Sequence, residues 1–146
     1  VFAFANRTYA APVRQTLNTA LELHRAGLVT PRAAPAGTEL ASAYALAGEM
    51  YRAGSVAPAE GRMAMNFLMD RSAENWARVF AGLQAETGTC RTDTPIATDG
   101  AMAGTFTWQC ERARLQGYLL LAPTNPVTIQ QLELWILPAN MNDILR

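Results

Sequence analysis

Residues 104–111 read GTFTWQCE, and within them Phe106, Trp108 and Cys110 alternate with Thr105, Thr107 and Gln109. Successive side chains on an extended backbone point to opposite faces, so this period of two predicts a half-buried strand. On the C-terminal side, ARLQGYLLL (113–121) places Leu115, Leu119 and Leu121 on one face. The tight Glu111-Arg112 connection before it suits a hairpin. The next run, VTIQQLELWIL (127–137), starts with Val127 and Ile129 in one phase and continues with Leu132, Leu134 and Ile136 in the other. A bulge near Gln130 and Gln131 would restore the register.

On the N-terminal side lies CRTDTPIATDGAM (90–102), in which Asp99-Gly100 is a turn signal. With the turn centred there, residues whose numbers sum to 200 face each other: Cys90 lies opposite Cys110, and Thr92 opposite Trp108. Opposed residues of a non-hydrogen-bonded antiparallel pair sit roughly 4.5 Å apart at Cα, within disulfide range. The chain has two cysteines, and this placement favours a bond between them over two buried free thiols. Paired cysteines track oxidising compartments.

With 146 residues, half of them hydrophobic, the chain can bury one core but hardly two. Twelve basic residues balance twelve acidic ones, so there is no electrostatic footprint for nucleic acid or an anionic membrane. No apolar run approaches a membrane span. All the basic residues are arginine. Schiff-base chemistry, a P-loop lysine and a Ser-x-x-Lys nucleophile are therefore excluded on this chain. The single histidine, His24, falls near the apolar stripe of a helix and reads as a packing residue rather than a general base. One histidine and two paired cysteines leave too few ligands for a metal, and no cofactor is implied.

Taken in order, VFAFAN (1–6) reads as a short apolar strand. It carries neither an initiating Met nor the basic and apolar regions of a secretory signal, which leaves a mature terminus and the tail of a longer protein both open. Val13, Leu17, Ala20, Leu21 and His24 mark an amphipathic helix from Ala11 to Gly27, with Pro12 in its first turn. LVTPRAAPAGT (28–38) has linker composition. The expected organisation is a strand–helix unit over 1–28, a linker over 29–37 and a main domain over 38–146. Leu40, Ala43, Tyr44, Ala47, Met50 and Tyr51 predict a second helix from Thr38 to about Arg52, stopped by Gly54. Ser72 can cap a third helix carrying Trp76, Val79, Phe80 and Leu83, ended by Gly88. In RMAMNFLMD (62–70), Met63, Met65, Phe67 and Met69 alternate, which leaves a strand and a buried irregular segment both open. Helices followed by consecutive strands predict an α+β fold, with helices packed on a curved antiparallel meander.

Residues 1–24, VFAFANRTYAAPVRQTLNTALELH, resemble the closing strand and C-terminal helix of class C β-lactamases and related penicillin-binding serine hydrolases. Ala5, Asn6, Arg7, Tyr9, Pro12 and Arg14 carry the likeness. By that resemblance Arg14 matches the arginine near the substrate-carboxylate site. The family's nucleophilic elements would then lie upstream of Val1, on a parent hydrolase domain. Cys90-Arg91, the run from Trp108 to Glu111, and Leu121-Ala122-Pro123-Thr124-Asn125-Pro126 resemble a small domain appended to some of these hydrolases, with a cystatin-like or NTF2-like fold. The resemblance implies a periplasmic or secreted protein and a non-catalytic accessory role for this chain. The alternative is a stand-alone NTF2-like module that binds a small ligand or dimerises.

No catalytic constellation emerges from the residues of the main domain. A pocket between Tyr44, Trp76, Phe80, Trp108 and Tyr118 is conceivable, but these aromatics lie on or beside apolar faces and read first as core. Met63, Met65 and Met69 likewise read as adaptable packing. Phe2 and Phe4 on an unpaired edge at residues 1–6 would template pairing with another chain, which predicts a homodimer.

Overall fold

The computed structural model describes residues 12–29 and 34–137. The expected strand over Val1–Asn6, and with it the basis for expecting a dimer, lies outside the described residues. Contacts divide the chain into two compact units, Val1–Ala33 and Ala34–Arg146.

In the first unit, helix α1 spans Pro12–Arg25. It closes through Gly27 at φ 69°, whose N–H donates to the His24 carbonyl at 3.0 Å. His24 is exposed, and its Nδ1 lies 3.2 Å from the Val29 carbonyl oxygen. The expected packing role is therefore not met. Leu17 and Leu21 of the same stripe are exposed as well.

The second unit is α+β, with helices packed on an antiparallel sheet. Helix α2 covers Thr38–Ala53 and buries Leu40, Ala43, Tyr44, Ala47, Met50 and Tyr51, the predicted face. Gly54 adopts φ 62°, a left-handed conformation that favours glycine, and the final carbonyls of Met50 and Tyr51 are thereby satisfied. After a 3-10 turn at Ala57–Ala59 comes helix α3, Met65–Asp70.

Neither alternative for the methionine-rich segment survives. Residues i and i+4 share one face of a helix and i+2 lies nearly opposite, so alternation at 65, 67 and 69 is also the pattern of a short helix with one residue turned inward. Phe67 is buried, whereas Met65 and Met69 are 88% and 78% exposed and do not pack. Only Met63 is strand-like. It forms a parallel bridge with Ile129, through Ile129 N–H to Arg62 O (2.7 Å) and Ala64 N–H to Ile129 O (2.8 Å).

Helix α4, Ala73–Thr87, starts where Ser72 Oγ accepts from Asn75 N–H at 3.3 Å, and it ends at Gly88, φ 75°. Glu74, in the first turn, is held below the usual carboxylate range. The main cause is hydrogen bonding to its own backbone N–H, followed by the Ser72 hydroxyl, with Arg78 adding a smaller attraction. Trp76 and Phe80 are buried, and Val79 and Leu83 pack at the margin.

Five strands follow: β1 Cys90–Arg91, β2 Ala97–Thr98, β3 Ala103–Cys110, β4 Arg114–Ala122 and β5 Thr128–Leu137. Their order is β1-β3-β4-β5, with β2 also on β3. Glu111 and Arg112 form the two-residue connection, closed by Cys110 N–H to Ala113 O at 3.0 Å. The ladder then runs from Gln109↔Arg114 to Ala103↔Leu120. Between β4 and β5 the register passes from Leu120↔Gln131 to Leu121↔Ile129, so Gln130 is the bulged residue. Ile129 and Leu132 can therefore both face the core.

Cys90 pairs with Cys110 and Arg91 with Gln109, as expected. The turn is not centred where the Asp99-Gly100 signal put it, because Ala97 faces Thr105 and Thr98 faces Gly104, pairs that sum to 202. Two additional residues are accommodated between β1 and β2, where the chain leaves the ladder. Thr92 therefore does not face Trp108 across a paired strand. Instead Thr94 reaches the sheet, its Oγ1 donating to Thr107 O at 3.0 Å.

Candidate functional site

The aromatics that suggested a pocket form a filled core. Phe67 stacks on Trp76 at 5.1 Å, Trp76 on Phe80 at 5.4 Å, Tyr51 meets Phe80 edge-on at 6.3 Å, and Tyr51 lies 5.2 Å from Trp108. Tyr44 and Phe106 complete the chain, 4.9 Å apart and both packed on Trp108. Four of the five proposed residues, Tyr44, Trp76, Phe80 and Trp108, are thus buried against one another or their neighbours. Tyr118 does not join them. It alternates with inward-facing Gly117 and Leu119 on β4 and occupies the other face of the sheet.

Among the described residues, two buried side-chain polar atoms lack a hydrogen-bond partner, Arg62 Nε and Trp76 Nε1. The wholly buried Trp108 donates its Nε1–H to Tyr44 Oη at 2.8 Å, and Tyr44 donates in turn to Thr94 O at 2.7 Å. Tyr51 Oη lies 3.0 Å from Thr87 Oγ1, which donates to Leu83 O at 2.8 Å. Since the one hydroxyl proton of Thr87 goes to Leu83, Tyr51 is the donor between the two hydroxyls. Trp76 differs: its indole Nε1 is buried without a hydrogen-bond partner.

Two clefts flank the core. The larger, about 460 Å³, lies beside the Cys90–Cys110 disulfide and is lined by Tyr51, Arg52, Gln84, Gly88, Thr89, Cys90, Glu111 and Arg112. Its cations are occupied in holding the fold. Arg112 donates to the α4 C-terminal carbonyls of Glu86 (3.1 Å) and Ala85 (2.6 Å), where a cation also opposes the helix dipole. Arg52 donates to Thr92 Oγ1. The smaller cleft, about 210 Å³, lies where α3, α4 and β5 meet and is lined by Phe67, Asp70, Arg71, Trp76, Gln130, Gln131, Leu132 and Glu133. Arg71 ends α3 with extended backbone, and its guanidinium carbon sits 4.5 Å from the Trp76 ring centroid.

Of the residues lining the smaller cleft, sequence reasoning offered only Trp76 as a pocket residue, while reading it first as core. Arg71 carries no periodic or motif signal, and the pattern of β5 marks a strand and a bulge but not a cleft; these residues become neighbours only through the α3–β5 packing. Arg14, the residue placed by family resemblance near a carboxylate site, is exposed on the first turn of α1. No group of three or more His, Cys, Asp or Glu side chains that could hold a metal occurs among the described residues. No described helix is long and apolar enough to cross a membrane.

Fold and site together define an α+β unit closed by an intramolecular disulfide, a bond that persists in oxidising compartments. The chain matches no family model, no curated protein and no solved structure.

Proposed function

We propose that this chain is the non-catalytic C-terminal portion of a β-lactamase-related serine hydrolase, periplasmic or secreted, with residues 34–146 forming a cystatin-like or NTF2-like accessory domain. The observation that supports this reading is the division of contacts between Ala33 and Ala34. The segment resembling the closing strand and helix of the hydrolases belongs to one unit, and the disulfide-closed sheet belongs to the other. The parent would open a β-lactam, a D-Ala-D-Ala peptide or an ester through an acyl-serine, with an oxyanion hole stabilising the intermediate. Its nucleophile would lie upstream of Val1.

A fluorescent penicillin tests the reading on two samples, the product of the complete reading frame and residues 1–146 alone. The expected result is covalent labelling of a serine in the first and none in the second. A reading frame that begins at Val1, or a longer one that lacks Ser-x-x-Lys and takes no label, would refute it.

A further inference from the structure

The two edges of the sheet are built differently. One consists of β1 and β2, each two residues long, with the ion pair Arg91–Asp93 (3.5 Å) and Pro95 between them. Short strands, charges and proline are the usual means of keeping a sheet edge from pairing with another chain. The other edge is β5, the longest strand at ten residues. Its start is occupied, because Met63 bridges to Ile129 and the bulge falls at Gln130. From Gln131↔Leu120 to Leu137↔Arg114 the ladder then runs without a register shift. This stretch, QLELWIL, has one charged residue, Glu133, and no proline.

The alternation of ladder hydrogen bonds identifies the backbone groups left over at this edge. Cys110 N–H donates to Ala113 O, and Leu121 N–H donates to Met102 O at 2.8 Å. Both bonds put the odd-numbered residues Leu115, Gly117 and Leu119 of β4 in hydrogen-bonded pairs with β3. Their neighbours on β5, Ile136, Leu134 and Leu132, are therefore in non-hydrogen-bonded pairs with β4, and their N–H and C=O groups point away from the sheet. No described residue pairs with them. The side chains of Leu134 and Ile136 pack against the core but are only half-buried, whereas Leu115, opposite Ile136, has no exposed surface.

These three residues are spaced symmetrically about Leu134. A second copy of β5, antiparallel and centred there, sets Leu134 against its counterpart and Leu132 against Ile136, so that every outward N–H and C=O of the three is used. The same register places Glu133 opposite Trp135, which keeps the lone charge of each strand away from its counterpart. Centring at Glu133 instead would leave Ile136 opposite the bulged Gln130 and set the two carboxylates face to face. Pairing about a twofold axis also closes at two copies and leaves no further edge of this kind.

We infer that the chain forms a twofold homodimer by antiparallel pairing of β5 with β5 of a second copy, centred on Leu134, which joins the two sheets into one. The surface uses no residue of 1–28 and does not depend on the hydrolase reading.

Sedimentation of the whole chain between about 1 μM and 1 mM should show a reversible monomer–dimer equilibrium. The amide protons of Leu134 and Ile136 should exchange more slowly as the dimer forms, which ties association to this edge. Trp135, 38% exposed, faces the second copy's Glu133 in this register, so two substitutions there act in opposite directions. Trp135→Glu sets like charges opposite each other at two symmetric places, and Trp135→Arg sets a cation opposite each carboxylate. The dissociation constant of the first should exceed that of the second about tenfold, with melting curves confirming that both variants fold. A chain that stays monomeric at about 1 mM overturns the inference, even if those amides exchange slowly, since the edge is then covered from within the chain. A dimer that leaves the two amides unprotected, or whose dissociation constant is the same in both variants, uses another surface and equally overturns it.

Discussion

Replacing Tyr44 by Phe isolates the polar link between core and loop. The ring contacts to Phe106 (4.9 Å) and Trp108 (6.4 Å) remain, and only the hydroxyl disappears. Two groups lose their partner: the Nε1–H of Trp108, a residue with no exposed surface, and the carbonyl of Thr94. The carbonyl sits on a partly exposed loop and can turn to water, but the indole N–H cannot. Orphaning a buried donor costs about 1–3 kcal/mol, so about 2 kcal/mol is the expected loss. At about 2.1 cal/mol/K per residue, the 34–146 unit has an unfolding entropy of about 0.24 kcal/mol/K, and the loss corresponds to a drop in Tm of about 8 °C. Thermal melts followed by circular dichroism read it directly. Hydrogen exchange of the Trp108 indole proton should accelerate in parallel, since its acceptor is gone. A Tm within about 2 °C of the parent, with the indole exchange unchanged, would show that this hydroxyl does not carry the energetic weight assigned to it here.

Reduction of the Cys90–Cys110 bond should lower Tm by several degrees, with about 3 kcal/mol as the upper value for a loop closed over 20 residues. Finding two titratable thiols in the native, unreduced protein would contradict the bond itself. Gly117→Ala should cost about 1–3 kcal/mol through overpacking, because a Cβ there would collide with Phe106 Cζ, the ring that covers Gly117 across the β3–β4 ladder. Urea unfolding should show a lower midpoint at an unchanged m-value, and an unmoved midpoint would count against the close fit of that ring.

Where local chemistry is decisive, the sequence is enough. Alternation over 104–111 and 113–121 sets the inward faces of β3 and β4, and a two-residue gap leaves the hairpin little choice of register. The change of phase within β5 requires an odd residue, and Gln130 is that residue. Ser72, Gly54 and Gly88 mark helix ends because their caps involve neighbouring backbone groups alone. The outward placement of Tyr118 was also legible, since its parity is opposite to that of Leu115 and Leu119.

Tertiary structure decided what depends on a partner distant in sequence. A strand and a short helix both fit the alternation at Met65, Phe67 and Met69. The helix is set by Phe67 stacking on Trp76, and within 62–70 only Met63 bridges to β5. The hairpin before β3 shifts by two residues because the 92–96 segment can leave the ladder and recover hydrogen bonds through Thr94, Tyr44 and Trp108. Trp76 and Trp108 both read as core from their periodicity. Only the assembled domain gives one indole an acceptor and leaves the other, beside Arg71, without one, because hydrogen-bond satisfaction depends on geometry that periodicity does not encode.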